Sequence, residues 1–390
     1  MKIDKYTAIL GNTVSYPDMH SLTDNRPLAS LPFDGKYRLI DFQLSSLANA
    51  GVRSIYGIFR GNNVRSVFDH IRSGREWGLG TLLSHYSLGF YDTDDDTRTV
   101  KGDYYDQILT YLRRSGSDQT IYMSCDMLCN IDLSQVIHLH NANGAQATVV
   151  YKKMPRSAIA EANQVLTIDE SDHVVSLGKA VDNDDNQKMS AEIYVINTPW
   201  LIEKMEEEAQ NNEPRKLRFL LRDLIVESNA LAFEYTGYLS NISSIKSYYD
   251  ANMDMLTPNK FYSLFFSNQK VYTKVKNEEA TYFDKQSNVS NSQLASGSII
   301  KGYLDHSIVS RNCLLEKGTR VVNSIIFPKV KIGEGATIEN TIIDKCVKVA
   351  PGVTLKGSLD KPLVIPKFSE INEDIYNENN VCCGRGCSLC

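Results

Sequence analysis

From about residue 287 onward, apolar residues recur at every sixth position in interleaved series: Ile326, Ile332 and Ile338; Val330, Ala336 and Ile342; Val347 with Val353, and Val349 with Leu355. A period of six fits neither the 3.6-residue turn of an α-helix nor the two-residue alternation of a strand in a hairpin. It fits the hexapeptide parallel β-helix, in which each short segment forms one side of a prism and sends its apolar residue into the stacked core. Gly333, Gly335 and Gly352 fall between rungs, where a corner needs φ values that a Cβ disfavours. A β-sandwich is the competing reading, but it requires turns roughly every 8–12 residues and alternation within each strand.

Upstream the pattern is different. Tyr6-Thr7-Ala8-Ile9-Leu10, Val52 to Ile58, Thr120 to Met123 and Ala147 to Tyr151 are short apolar runs separated by helical stretches. Such alternation builds βαβ units and a mostly parallel sheet, whose ligands sit beyond the carboxyl ends of the strands. The loop after Leu10 and the turn at Asp126 are therefore the places to look for chemistry. The 390 residues divide into an α/β, Rossmann-like domain at 1–245, a helix (Ile245 to Leu256) with connector at 246–286, the β-helix at 287–370, and a polar, cysteine-rich tail at 371–390. Two domains agree with about 100–200 residues per domain.

Composition narrows the partners. With 42 Lys plus Arg against 47 Asp plus Glu the net charge is −5, and no basic run is present to neutralise a phosphate backbone, which argues against nucleic acid. No run approaches the ~18 apolar residues of a membrane span, and the apolar stretch in MKIDKYTAILGN is too short for a signal peptide, so a cytoplasmic protein without membrane contact is expected. Cys125, Cys129, Cys313 and Cys346 read as buried reduced thiols. Cys382, Cys383, Cys387 and Cys390 admit two readings, a thiolate metal site or a disordered end.

Several segments carry a family resemblance. Leu31-Pro32-Phe33-Asp34-Gly35-Lys36-Tyr37-Arg38-Leu39-Ile40-Asp41-Phe42, followed by Leu44-Ser45-Ser46, resembles the PFGGKYRLIDFxLSN segment of the glucose-1-phosphate adenylyltransferases, or ADP-glucose pyrophosphorylases. Ser73 to Trp77 and Ser244 to Met253 look like further landmarks, and the order is similar across nearly the whole chain. The resemblance implies a nucleotidyltransferase-like domain with a C-terminal left-handed β-helix. It also implies a magnesium-dependent reaction of glucose 1-phosphate with ATP, giving ADP-glucose and pyrophosphate for glycogen or starch synthesis.

The departures from that pattern fall on its chemistry. The family's GGxGxRLxPLT loop, whose bare N–H groups hold nucleotide phosphates, stands here as Gly11-Asn12-Thr13-Val14-Ser15-Tyr16-Pro17-Asp18. Gly11, Asn12 and Thr13 are thus a degenerate nucleotide-binding loop. Pro17 offers no N–H, and Asp18 brings negative charge where phosphates would lie. Counting back from Pro32-Phe33, the lysine of RAKP falls at Leu28, although Arg26 keeps the arginine; the lysine commonly preceding it is Asn25. The GTADAV segment corresponds to Gly102-Asp103-Tyr104-Tyr105-Asp106-Gln107, where two tyrosines should crowd the nucleotide pocket. Of the two aspartates the family offers to magnesium, the first is kept as Asp126, a vestigial metal ligand or else a turn cap, and the second is Asn241. On the sugar-phosphate side, the lysine of EKP is kept as Lys179, Ser190 and Tyr194 match SMGIYVF, and DFG is replaced by Arg218-Phe219-Leu220. Lys179 and Ser190 are the remaining substrate-binding candidates, with an ordinary surface lysine as the alternative for Lys179.

Loss of the phosphate loop, a lysine and a metal carboxylate removes the positioning and charge stabilisation on which phosphoryl chemistry depends. Within the family the chain most resembles the bacterial regulatory, glycogen-biosynthesis-type subunits. That likeness implies a non-catalytic or weakly catalytic role beside a catalytic ADP-glucose pyrophosphorylase paralogue, in a hetero-oligomer such as a tetramer, with self-association also open. No cofactor is then required by this chain, and magnesium belongs to the catalytic partner. The alternative is an active sugar-1-phosphate nucleotidyltransferase with an altered nucleotide site. A third reading, an acyltransferase built on the β-helix, has His306 as its one candidate base; His138 and His140, two apart on a helix, face different ways.

Overall fold

The computed structural model describes residues 5–12, 15–60, 64–81, 85–91, 98–182 and 184–377, with the backbone alone described for Asn12 and His85. The cysteines of the tail, Thr13 and Val14 lie outside the described residues.

Tyr6–Asn12 is the centre of a nine-stranded sheet, flanked by Ser54–Arg60 and Gln119–Ser124, both parallel to it. Its side chains alternate between two cores. Ala8 and Leu10 join Ile121 and Met123 on one face, while Ile9 joins Tyr122 and Leu221 on the other. Both faces are covered, so the strand reads as one continuous apolar run. His85–Tyr91 extends the parallel side. The other side is antiparallel, because Gln187–Asn197 runs against both Gln119–Ser124 and Ala147–Met154. The sheet is therefore mixed. Gln187–Asn197 loses register between Ser190 and Tyr194, and within that irregularity Glu192 has φ 52°.

The connector holds more helix than its sequence suggests. Ile245–Met253 is helical and tightens into a 3₁₀ turn at Asp254–Leu256, as the pattern anticipates. A second helix, Pro258–Phe265, follows it. Pro258 stands at its first position, where its fixed φ and missing N–H suit a helix start.

From Tyr282 to Tyr376 the chain winds into a left-handed parallel β-helix of three sheets with six, six and five strands. Ile300, Leu315, Ile332, Val349 and Ile371 stack in register through its interior. One corner is held by asparagines in the left-handed region, Asn291, Asn323 and Asn340 at φ 36°, 47° and 47°, with His306 at φ 44° in the same column. Asparagine tolerates that region better than most residues. Beside this corner a hydroxyl ladder ties coil to coil: Ser307 N–H donates to Ser292 Oγ (3.1 Å), Ser324 N–H to Ser307 Oγ (3.0 Å) and Thr341 N–H to Ser324 Oγ (3.2 Å).

Two expectations for the β-helix need correction. Gly335 and Gly352 do adopt positive φ, at 70° and 74°, but Gly333 does not. A Cβ there would lie 2.6 Å from the Pro351 nitrogen of the next coil, so close backbone approach requires glycine. Ile342 does not point into the prism either. With Ile308 and Ile325 it faces outward from the third sheet and packs with Phe33, Tyr248 and Met255 of the N-terminal part. Val309, Ile326 and Ile343 are the inward partners of these three. Burying each outward isoleucine contributes about 1.5–3 kcal/mol, so this row fastens the two halves together. Arg26 adds a buried ion pair to Asp344 and lies over the Phe327 ring at 5.7 Å. Among the described residues, no helix is long and apolar enough to cross a membrane.

Candidate functional site

The two places marked by the strand pattern meet. Gly11 is in register with Ser124, and Cys125 N–H donates to the Gly11 carbonyl (2.9 Å), which sets the Asp126 turn against the start of the degenerate loop. A Cβ on Gly11 would lie 2.1 Å from the Tyr122 hydroxyl, so glycine is required there by a packed tyrosine. Asn241 joins them: its strand, Leu239–Asn241, runs antiparallel to Met127–Cys129, and Ile242 N–H donates to the Asp126 carbonyl (2.8 Å). Asp126 and Asn241 thus stand side by side beyond the carboxyl ends of the central strands.

Asp126 is fully engaged. Its Oδ2 accepts from the Tyr16 hydroxyl (2.6 Å) and from Arg218 Nη1 (3.0 Å), and its Oδ1 accepts from the Ser124 hydroxyl. The Arg218 side chain is only 2% exposed, and its Nε lies 3.1 Å from Glu192 Oε2. Glu192 Oε1 accepts in turn from Arg222 Nη2 (2.7 Å) and Nε (2.9 Å). Two carboxylates and two guanidinium groups close a neutral network. Burial alone would raise the Asp126 pKa, but the Arg218 charge and the Ser124 and Tyr16 hydrogen bonds outweigh it and hold the carboxyl below its usual value. Burial opposes the charge on Arg218, yet Asp126 and Glu192 together raise its pKa well above the ordinary arginine value. The Tyr16 phenol is pushed up by burial and then by the Asp126 charge, so it remains a protonated donor.

The family's magnesium can be tested against these donors. Mg²⁺ takes about six oxygens at ~2.0–2.1 Å in octahedral geometry. Here both oxygens of Asp126 already accept hydrogen bonds, and a guanidinium fills the space between Asp126 and Glu192. Asn241 Nδ2 donates to Asn163 Oδ1 (2.9 Å), which leaves a single neutral amide oxygen without a partner. The residues present do not fit a divalent cation. Asp126 is accordingly neither a free metal ligand nor a mere turn cap, but one half of a buried ion pair.

The other candidates have different occupations. Leu28 is buried among Met19, Leu22 and Leu31, an apolar anchor far in character from a phosphate-binding lysine. Asp18 accepts the Ile245 N–H (3.2 Å) at the start of the Ile245–Met253 helix, which gives its charge a helix terminus to face. Tyr104 and Tyr105 buttress the start of the Leu217–Glu227 helix: Tyr104 Oη accepts the Leu217 N–H (3.1 Å), and Tyr105 donates to the Arg215 carbonyl (2.6 Å). They support the helix that delivers Arg218. Ser190 Oγ accepts the Glu192 N–H (3.2 Å) and is buried, whereas Lys179 is exposed just after the Val174–Gly178 strand. Asn12 ends its strand opposite Phe59. His140 is buried against Thr148 Oγ1 (2.9 Å) and His138 is exposed. Among the described residues no group of three or more His, Cys, Asp or Glu is placed to hold a metal.

Sequence reasoning named Arg218 only as a departure from DFG, and passed over Glu192 and Arg222. The signal was present: Glu192 stands at the glycine of SMGIYVF, and Arg218 stands at the acidic start of DFG, four residues before a second arginine on the same helix face.

Fold and site define a nucleotidyltransferase-type α/β body with an appended hexapeptide β-helix. The nucleotidyl transferase family model matches residues 19–258, and a second, for a GlmU-like C-terminal hexapeptide region, matches residues 274–375. The chain belongs to the nucleotidyl transferase family. It is 29% identical over 323 residues to the glycogen biosynthesis protein GlgD of Bacillus subtilis (strain 168), covering 80% of this chain and 81% of that protein. It is 27% identical over 329 residues to the glucose-1-phosphate adenylyltransferases of Bacillus mycoides (strain KBAB4) and Bacillus cereus (strain ATCC 10987), covering 81% of this chain and 85% of each.

Proposed function

We propose that this chain is a non-catalytic or weakly catalytic regulatory subunit of a cytoplasmic ADP-glucose pyrophosphorylase. In this role it assembles with a catalytic paralogue and raises the rate at which that partner makes ADP-glucose and pyrophosphate from glucose 1-phosphate and ATP for glycogen synthesis. The observation that carries the reading is the closure of Asp126 by Tyr16 and Arg218: the carboxylate on which the family's chemistry turns is bonded to its own chain. Similarity to GlgD agrees with it. The intact β-helix and its isoleucine-docked joint leave a rigid body able to bias a partner's conformation, and such a bias needs only a difference in affinity for the partner's two states. Magnesium and nucleotide are then handled by the partner.

The reading is tested by purifying the chain and its catalytic paralogue. The chain alone should form negligible ADP-glucose, and adding it to the paralogue should raise turnover or substrate affinity. Robust synthesis by the chain alone refutes the reading. An active transferase with an altered nucleotide is the second reading; exposed Lys179 favours it, since a sugar phosphate could still reach that ammonium.

A further inference from the structure

The misfit between this site and a divalent cation has its own chemistry. Asp126 and Glu192 come from separate elements, a turn after one strand and the irregularity of another, and they face each other across one guanidinium at 3.0 and 3.1 Å. Glu192 is completely buried and sits at φ 52°, a left-handed backbone conformation that a Cβ disfavours. A buried carboxylate in strained backbone persists only where its surroundings over-determine it. What over-determines it here is positive charge, from Arg218 on one oxygen and Arg222 on the other. The Asn241 amide oxygen, on the strand paired to Met127, is buried without a hydrogen-bond partner.

We propose that Arg218 is a resident cation: its guanidinium bridges Asp126 and Glu192 where the fold would otherwise seat a divalent metal, so the wild-type cleft takes up no Mg²⁺ and removal of this one side chain opens a divalent-cation site. Two facing carboxylates left without Arg218 repel in a water-poor cleft. A hard dication relieves that repulsion through oxygen donors, and Asn241 supplies a third. Arg222 lies on the far oxygen of Glu192 and does not fill the gap. The inference deepens the regulatory reading and rests on it to one extent, that an active transferase would need metal in this cleft.

Mn²⁺ serves as the probe, its binding followed by loss of the free-ion electron paramagnetic resonance signal, with circular dichroism confirming the fold of each variant. Wild type and R218K should sequester no site-bound Mn²⁺. R218S should bind one Mn²⁺ per chain, roughly tenfold or more tighter than wild type, and R218S/D126N should lose it. Wild-type binding that D126N abolishes overturns the inference, and so does a folded R218S that binds no better than wild type. If R218S does not fold alone, Mn²⁺ present during refolding should restore its circular dichroism, and failure of that rescue also overturns it. Because the readout is metal uptake, this inference can fail while the chain still proves inactive alone, and ADP-glucose synthesis can refute the regulatory reading separately.

Discussion

Asp34 offers the sharpest test of how the two halves are joined. It stands where the resembled segment has its first glycine, adopts φ 47°, and is 8% exposed. Its N–H donates to Asn252 Oδ1 (3.0 Å), but its own Oδ1 has no hydrogen-bond partner, and the next residue, Gly35, touches the β-helix: a Cβ there would lie 3.2 Å from the Val309 carbonyl. Burial, only partly offset by Lys36, pushes the Asp34 carboxyl up to about 7 from 3.8. A carboxyl whose folded pKa is raised makes the folded state bind more protons than the unfolded chain, so the protein loses stability as pH rises from about 4 to about 7. At about 1.4 kcal/mol per pKa unit, the full penalty above pH 7 is about 4 kcal/mol, of which roughly 3 kcal/mol develops between pH 5 and pH 8.5. Asp34→Asn keeps the shape, tolerates positive φ and cannot ionise. Urea unfolding of wild type and variant at matched pH should therefore show little difference near pH 4 and a stabilisation of the variant that grows by roughly 3 kcal/mol from pH 5 to pH 8.5. A difference that stays flat across that range would mean the carboxylate is solvated in the folded protein, and the account of this joint would be wrong.

Arg26→Ala should cost about 3–5 kcal/mol, because it strands Asp344 as an unpaired buried charge. Replacing both partners by apolar side chains, R26M together with D344L, should recover most of that loss, and thermal melting of the single and double variants reads it; an equally damaged double variant refutes the ion-pair account. Tyr16→Phe should cost about 1.5–3 kcal/mol through loss of its hydrogen bond to the Asp126 carboxylate. It should bring no ADP-glucose synthesis, since Arg218 still occupies Asp126; a melting temperature equal to wild type, or recovered synthesis, contradicts the geometry.

The fold was legible where a period repeats and ambiguous where one residue must choose between two cores. The six-residue spacing marked the β-helix, yet Ile342 and Ile326 look alike in the chain. The direction of Ile342 depends on Phe33, Tyr248 and Met255, contacts remote in sequence. The site was legible as a set of positions: Gly11, Asp126 and Asn241 do come together. Their engagement was not, because a carboxylate reveals nothing of the guanidinium that will find it, and Arg218 is brought to Asp126 by the tertiary packing of the Leu217–Glu227 helix, whose start is held by Tyr104. Lys179 and Leu28 show the same limit: each is set by position in the motif, while its surroundings, open surface for one and an apolar cluster for the other, follow from the tertiary structure.

The side chains that replace the family's site are complementary to one another, and this bears on what the cleft is for. Glutamate in place of glycine at 192, taken alone, adds backbone strain and an uncompensated buried charge, a combination that costs several kcal/mol. Arginine in place of aspartate at 218, taken alone, buries a guanidinium with one carboxylate where two are now needed to saturate it. Taken together, with Arg222 on the outer oxygen, the charges cancel and each carboxylate is paired with a guanidinium. Mere erosion of a catalytic site would leave small or mismatched residues and a collapsed or hydrated cleft. A neutral, cross-braced network ties the strand irregularity, the Asp126 turn and the Leu217–Glu227 helix to one another, as the proposed regulatory role would require.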